Sequence, residues 1–207
     1  MASTTPDAVR IGVLVSGSGS NLGALIERVH GRAATIAGVC SSNGEAFALE
    51  RARAAGIESA VFALADHAGD TSRRDVGMAD WLAARDVELV VCAGFMGILT
   101  GGFLARFPSR VLNLHPSLLP AFPGAHAIDD ALAAGVSETG VTVHLVDEML
   151  DGGPIVAQTR IPVDYDETPE GLRARIHAAE HQLLPAVVED VARGALDLDD
   201  IARKART

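Results

Sequence analysis

Four short apolar runs constrain the fold more than anything else in this chain: "RIGVLVSG" at 10–17, "TIAGVCSSN" at 35–43, "VELVVCAG" at 87–94 and "RVLNLH" at 110–115. Each is rich in β-branched residues and lacks the polar alternation of a half-exposed strand, so each suits a strand covered on both faces. Between them lie "SNLGALIERVHG", "GEAFALERARAAGI", "RDVGMADWLAARD" and "TGGFLARF", in which apolar residues recur at helical spacing. Strands alternating with helices imply right-handed βαβ crossovers. The expected fold is therefore α/β, an open and mostly parallel sheet with helices on both faces.

After Pro116 the texture changes. "LLPAFPGAH" reads as a proline-rich loop and "AIDDALAAG" as a short helix ending at Gly135. Two further strand-like runs follow, "GVTVHLV" and "IVAQTRIPV", joined by "DEMLDGGP", whose Gly-Gly-Pro permits a sharp reversal and so an antiparallel addition toward the C-terminus. Thr168 with Pro169 marks the start of a long helix running toward Gly194, which Pro185 is expected to kink or break. No linker or repeat divides the 207 residues, and a single domain over 1–207 is expected, with 1–9 a flexible leader and 195–207 a solvated, flexible tail.

Composition removes several functions. A formal net charge of −10 argues against a face that tracks nucleic acid or an anionic membrane. The sole lysine is Lys204, so neither a Schiff-base lysine nor a Walker A lysine is available inside the fold. Cys40 and Cys92 sit inside apolar runs without ligand spacing and read as buried free thiols in a reducing compartment. The opening "MASTTPDAVR" lacks a signal-peptide pattern and no apolar run reaches membrane-spanning length, so a cytoplasmic protein is expected. His115, His126 and His144 fall on different elements, and no metal site is expected.

Three segments could carry chemistry. "VSGSGSN" joins the first strand to the first helix, where small residues and a helix N-terminus can hold a phosphate without lysine. NAD is disfavoured, because the third glycine position of a dinucleotide fingerprint is Leu22 and no acidic residue follows the second strand. In "VLNLHP", Asn113 and His115 stand two apart and share one side with Val111, and Pro116 ends the strand just beyond them. Carboxyl ends of strands in an open α/β sheet are where ligands sit. In "DEMLDGGP", Asp151 directly precedes the glycine pair, which could carry its carboxylate inward; a solvated acidic turn would look the same.

Taken in order, "VLVSGSGSNL", "AGFM", "VLNLHPSLLPAFPGAH" and "GVTVHLVDEMLDGGPIVAQ" resemble the glycinamide ribonucleotide formyltransferases, folate-dependent enzymes of purine synthesis. The likeness runs from about Arg10 to Gly194 and implies a Rossmann-like formyltransferase fold, with 10-formyltetrahydrofolate as co-substrate. It implies that Asn113 donates to the developing oxyanion, that His115 is proton donor and electrostatic stabiliser, and that Asp151 favours the charged imidazolium. Gly19, Ser20 and Asn21 would hold the ribonucleotide phosphate, with Glu180 on its ribose and His177 beside it. Met96, Gly97, Ile98 and Leu99 would border the folate, together with Asn113 and the backbone of Glu148, Met149 and Leu150, and Arg73 would match an arginine that contacts the folate, with Arg74 competing for that place. Two positions depart from the family pattern: Gly97 stands where arginine is usual and His177 where glutamine is common.

Two rivals share parts of this pattern. A formyltetrahydrofolate deformylase uses a similar Asn, His and Asp set with water as acceptor, and a non-catalytic nucleotide-binding module would need only "GSGSN". The resemblance implies small-molecule substrates, no nucleic-acid or membrane partner, and a monomer or homodimer.

Overall fold

The computed structural model describes residues 8–205. Seven strands form one sheet: β1 (Val9–Val15), β2 (Ala34–Ser41), β3 (Ser59–Val61), β4 (Leu89–Cys92), β5 (Val111–His115), β6 (Glu138–Leu145) and β7 (Ile155–Pro162). Their spatial order is β3-β2-β1-β4-β5-β6-β7. Pairings from β3 through β5 are parallel, whereas β5–β6 and β6–β7 are antiparallel. This is the open, mostly parallel sheet with an antiparallel C-terminal addition expected from the apolar runs. The chain order reverses between β1 and β4, which opens a crevice at their carboxyl ends.

Helices α1 (Ser20–Arg28), α2 (Phe47–Ala54), α3 (Thr71–Ala83), α4 (Gly101–Leu104), α5 (Ala127–Ala133), α6 (Pro169–Ala192) and α7 (Leu198–Lys204) cover the sheet. Strand alternation divides the core into two layers. Ile11, Val13, Val15, Leu89, Val91, Leu112 and Leu114 pack with Leu22 and Leu25 of α1 and Ile176 and Leu184 of α6. Leu14, Val90, Cys92 and Val111 face the other way, against Met78 and Leu82 of α3 and Phe103 of α4. Both cysteines are buried and unpaired, and burial pushes the Cys92 thiol up to about 12.

Four expectations change. Val9 belongs to β1 rather than to a leader, and residues 1–7 lie outside the described ones. Strand β3 has three residues at the sheet edge, too short and too exposed to stand out as an apolar run. Pro185 neither ends nor interrupts α6. Its ring nitrogen cannot donate to the carbonyl of His181 four residues back, and Arg28 Nη1 donates to that carbonyl instead at 2.9 Å. The segment expected as a solvated tail holds α7, capped by the Asp197 side chain, with Leu198 and Ala202 buried and Arg110 donating to Asp199 at 2.6 and 3.0 Å. A shallow hollow beside it is lined by Val9, Glu88, Arg110, Gly194 and Leu198, at the amino ends of the central strands. Among the described residues no helix is long and apolar enough to cross a membrane.

Candidate active site

At the opposite, carboxyl ends of the central strands lies a cleft of about 630 Å³. Gly19, Ser20, Asn21, Met96, Gly97, Ile98, Leu99, Asn113, His115, Glu148, Met149, Leu150, Asp151, His177 and Glu180 all line it. Residues separated by up to 161 positions in sequence thus meet around one volume, because β1, β4 and β5 end side by side and α6 crosses behind α1. Arg73 is the exception. It is exposed on α3 outside the cleft, and its backbone N–H is held by the capping side chain of Asp70. Its neighbour Arg74 is buried, turned toward the 95–100 loop, so the contact expected of Arg73 does not arise from its place in the fold.

On the first side, Gly19 caps α1 in the left-handed region, φ 67, without a side-chain hydrogen bond, and the first turn of α1 carries no acidic residue. The free N–H groups there form an anion-favouring end. A Cβ on Gly19 would lie 2.6 Å from Ala48 Cβ and 2.7 Å from its Cα, so the tight turn also needs glycine for space. Arg51 of α2 reaches this loop from outside, its Nε donating to Ser18 O at 3.0 Å. Asn21 Nδ2 donates to Glu180 Oε2 at 3.0 Å, while Asn21 Oδ1 is buried with no partner among the described residues. Burial raises the Glu180 carboxyl, opposed by the Asn21 hydrogen bond and the nearby His177 and His115.

In the centre, Asn113, His115 and Asp151 converge. His115 Nδ1 is 3.5 Å from Asp151 Oδ2, and its Nε2 donates to Phe122 O at 2.8 Å, so both ring nitrogens face acceptors. Asp151 Oδ2 accepts from Gly124 N at 2.8 Å, and Oδ1 lies 3.5 Å from Asn113 Nδ2. The aspartate occupies the left-handed region, φ 50, a conformation that aspartate tolerates better than most residues and that turns its carboxylate inward, where it is 9% exposed. The inward turn thus prevails over a solvated one.

His144 completes the cluster, although its sequence context offered only a histidine on a separate strand. It stands directly opposite Asn113 in the β5–β6 ladder. Its Nδ1 bonds to Leu145 O at 2.8 Å, which leaves Nε2 to accept from Asn113 Nδ2 at 3.1 Å. Burial lowers the His144 imidazole, more than the Leu145 carbonyl and Asp151 raise it, which keeps the ring in this accepting form. One amide hydrogen of Asn113 is thereby fixed on His144, and the other, with only the long contact to Asp151, remains for a ligand. The signal in sequence was the polar alternation Thr142, His144 in β6, legible only with the register.

The far side is apolar. Met96 and Ile98 are 70% and 69% exposed, and Met149 and Leu150 across the cleft are 68% and 61% exposed. Two such lips suit a flat aromatic ligand better than water. Met96 N donates to Ser16 Oγ at 2.9 Å, which ties this wall to the glycine loop.

Comparison with known proteins places the chain in a family. Residues 9–188 match the family model described as formyl transferase. The phosphoribosylglycinamide formyltransferase of Haemophilus influenzae is 40% identical over 92% of this chain and 91% of its own length. The trifunctional purine biosynthetic protein adenosine-3 of Chironomus tentans is 43% identical, but the chain spans only 14% of its length. Among solved structures, glycinamide ribonucleotide transformylase 1 from Symbiobacterium toebii superposes with a TM-score of 0.89 at 41% identity, covering 94% of this chain and 92% of that one. With a family model matched over residues 9–188, and with about two residues in five identical to these proteins along nearly its whole length on a common fold, the chain belongs to the formyl transferase family, among the phosphoribosylglycinamide formyltransferases.

Proposed function

We propose that the chain transfers the formyl group of 10-formyltetrahydrofolate to the amine of glycinamide ribonucleotide, a step of purine synthesis. The observation that carries this reading is one cleft holding both an anion-favouring loop, Gly19 to Asn21, and the Asn113, His115 and Asp151 cluster.

The residues divide the task. N–H groups at the start of α1 receive the phosphate, Glu180 accepts from the ribose, and the unpaired Asn21 Oδ1 supports a further donor of the substrate. The lips at Met96–Leu99 and Glu148–Leu150 hold the folate ring system by apolar contact and backbone hydrogen bonds. As the amine attacks, a C–N bond forms at the formyl carbon and the carbonyl oxygen gains negative charge. Asn113 donates its second amide hydrogen to that oxygen, and His115, held against the Asp151 carboxylate, stabilises it. Breaking the C–N10 bond then returns tetrahydrofolate: His115, releasing its Nε2–H from Phe122 O, gives a proton to N10, and the proton lost by the attacking amine restores the ring, so that one proton passes in net from amine to N10.

The test is a formyl-transfer assay with ribonucleotide, and separately water, as acceptor. Slow loss of 10-formyltetrahydrofolate alone, and fast loss with equimolar formylated nucleotide when glycinamide ribonucleotide is added, is the expected result. Rapid formate release indifferent to the ribonucleotide would replace this reading by a deformylase.

A further inference from the structure

Gly97, where the family usually has arginine, is not glycine for conformational reasons: its φ lies outside the left-handed region. It is glycine for space. A Cβ there would lie 2.8 and 3.0 Å from the Phe95 ring and 3.0 Å from Arg74 Nη1. The volume next to Gly97 is filled from another element, by the guanidinium of a helix α3 arginine lying over the Phe95 ring, 5.6 Å from its centroid.

That arginine is engaged through Nε and Nη2. Its side chain is 6% exposed and that of Asp75 0%. Arg74 Nε and Nη2 both donate to Asp75 Oδ1, at 2.8 and 2.6 Å, and Nη2 also donates to Ile98 O at 3.2 Å. The other carboxylate oxygen of Asp75 accepts from Thr100 N at 2.7 Å. Helix α3 thus grips the 95–100 loop at both Ile98 and Thr100 through one buried ion pair. The loop is the exposed apolar lip of the cleft, tied besides by Met96 N to Ser16 Oγ and, at its far end, by Thr100 O accepting from Phe103 N and Leu104 N of α4. A buried pair that breaks on one side leaves an uncompensated charge, so the grip is rigid.

The geometry points to Arg74 as the positioning residue of the folate-side wall, with Gly97 as the space it requires: the pair Arg74 and Gly97 acts as one unit in which the guanidinium comes from α3 instead of from position 97. This rests on the reading of residues 96–99 as the folate wall. It follows that Arg74 governs folate affinity far more than ribonucleotide affinity, because the ribonucleotide side is built by α1, α2 and α6 and meets this wall at the Met96 N to Ser16 Oγ bond.

The experiment is a double-variant cycle with Arg74→Met, Gly97→Arg and both together, read by KM for each substrate, calorimetric affinity for 10-formyltetrahydrofolate, and melting temperature. Arg74→Met is expected to raise the folate KM about tenfold or more, the loss of a charged hydrogen bond to the loop, with the ribonucleotide KM changed by less than about twofold. Gly97→Arg alone should lower the melting temperature, since two guanidinium groups then compete for one space. The double variant should recover both quantities, because the incoming guanidinium takes the vacated place beside Asp75. Strictly additive effects in the double variant, or equal rises in both KM values for Arg74→Met, overturn the proposal. Should Arg74→Met not fold, Arg74→Met with Asp75→Asn removes the stranded charge; a folded double variant with unaltered folate affinity overturns it as well. Failure of the wild type to transfer formyl would instead reject the functional reading, and the melting-temperature cycle would still decide whether Arg74 and Gly97 are coupled.

Discussion

Replacing Asp151 by asparagine removes one negative charge and almost no volume. In the folded protein that charge stands 3.5 Å from His115 Nδ1 with 9% of its side chain exposed, and at an effective dielectric near ~20 two unit charges at that separation attract by about 5 kcal/mol. Part of this returns, since a neutral amide costs less to bury than a carboxylate, and about 3–4 kcal/mol of lost stabilisation for positive charge carried at the His115 ring in the transition state corresponds to about 10²–10³ in turnover. Asparagine also brings a donor where only acceptors are wanted. Gly124 N–H and Asn113 Nδ2 both point at the Asp151 oxygens, so either amide orientation sets N–H against N–H. That mismatch costs about 1–3 kcal/mol and should lower the melting temperature by a few degrees without unfolding the protein. The assay is formyl transfer at saturating concentrations of both substrates, followed from pH 6 to 9, with the melting temperature measured alongside. A folded Asp151→Asn enzyme whose turnover stays within about fivefold of wild type across that range would refute the electrostatic role assigned to Asp151.

Gly19→Val should abolish ribonucleotide binding by calorimetry while folate binding persists, because its Cβ would strike Ala48 and its φ of 67 is strained for valine; equal loss of both ligands would mean general misfolding. Burial raises the Glu180 carboxyl above its ordinary 4.5, so the stability from its neutral form is present below that pH and is lost as pH rises through the raised value. Glu180→Gln is therefore expected to raise the melting temperature near about pH 7 but not below about pH 4, while weakening ribonucleotide affinity; an equal gain at both pH values contradicts the linkage. His181 is lowered by burial and by its neighbours His177 and Arg51, so stability present above 6.5 is lost as pH falls through its depressed value. In His181→Gln that acid-side decline should be shallower, and an unchanged melting profile would exclude His181 as its source.

Strand β5 was legible because its chemistry is local: polar residues two apart, a proline stop, and a continuous apolar run on the opposite parity. Asp151 was legible as a residue adjacent to glycines, but its inward turn depends on a left-handed backbone that only the assembled loop enforces. His144 was not legible as a site residue, nor Arg51 as a support of the glycine loop. One enters through antiparallel register opposite Asn113, the other by reaching from α2 to Ser18 O, and neither distance is encoded in spacing along the chain. Arg73 misled for the complementary reason. Adjacent helical positions point about 100° apart, so the choice between Arg73 and Arg74 decides whether a side chain meets solvent or the 95–100 loop. Pro185 misled because the penalty of a helical proline assumes an orphaned carbonyl, and Arg28 removes that orphan.

The hollow shared by Val9 and Leu198 brings the first described strand and the last described helix together at the amino edge of the sheet, while every residue of the cleft sits at the carboxyl edge. The first residue of β1 and the first residue of α7 therefore stand on the blind side of the module, about seven residues of strand, or some 23 Å, from the chemistry. A support fixed to that edge leaves the mouth of the cleft open to solvent.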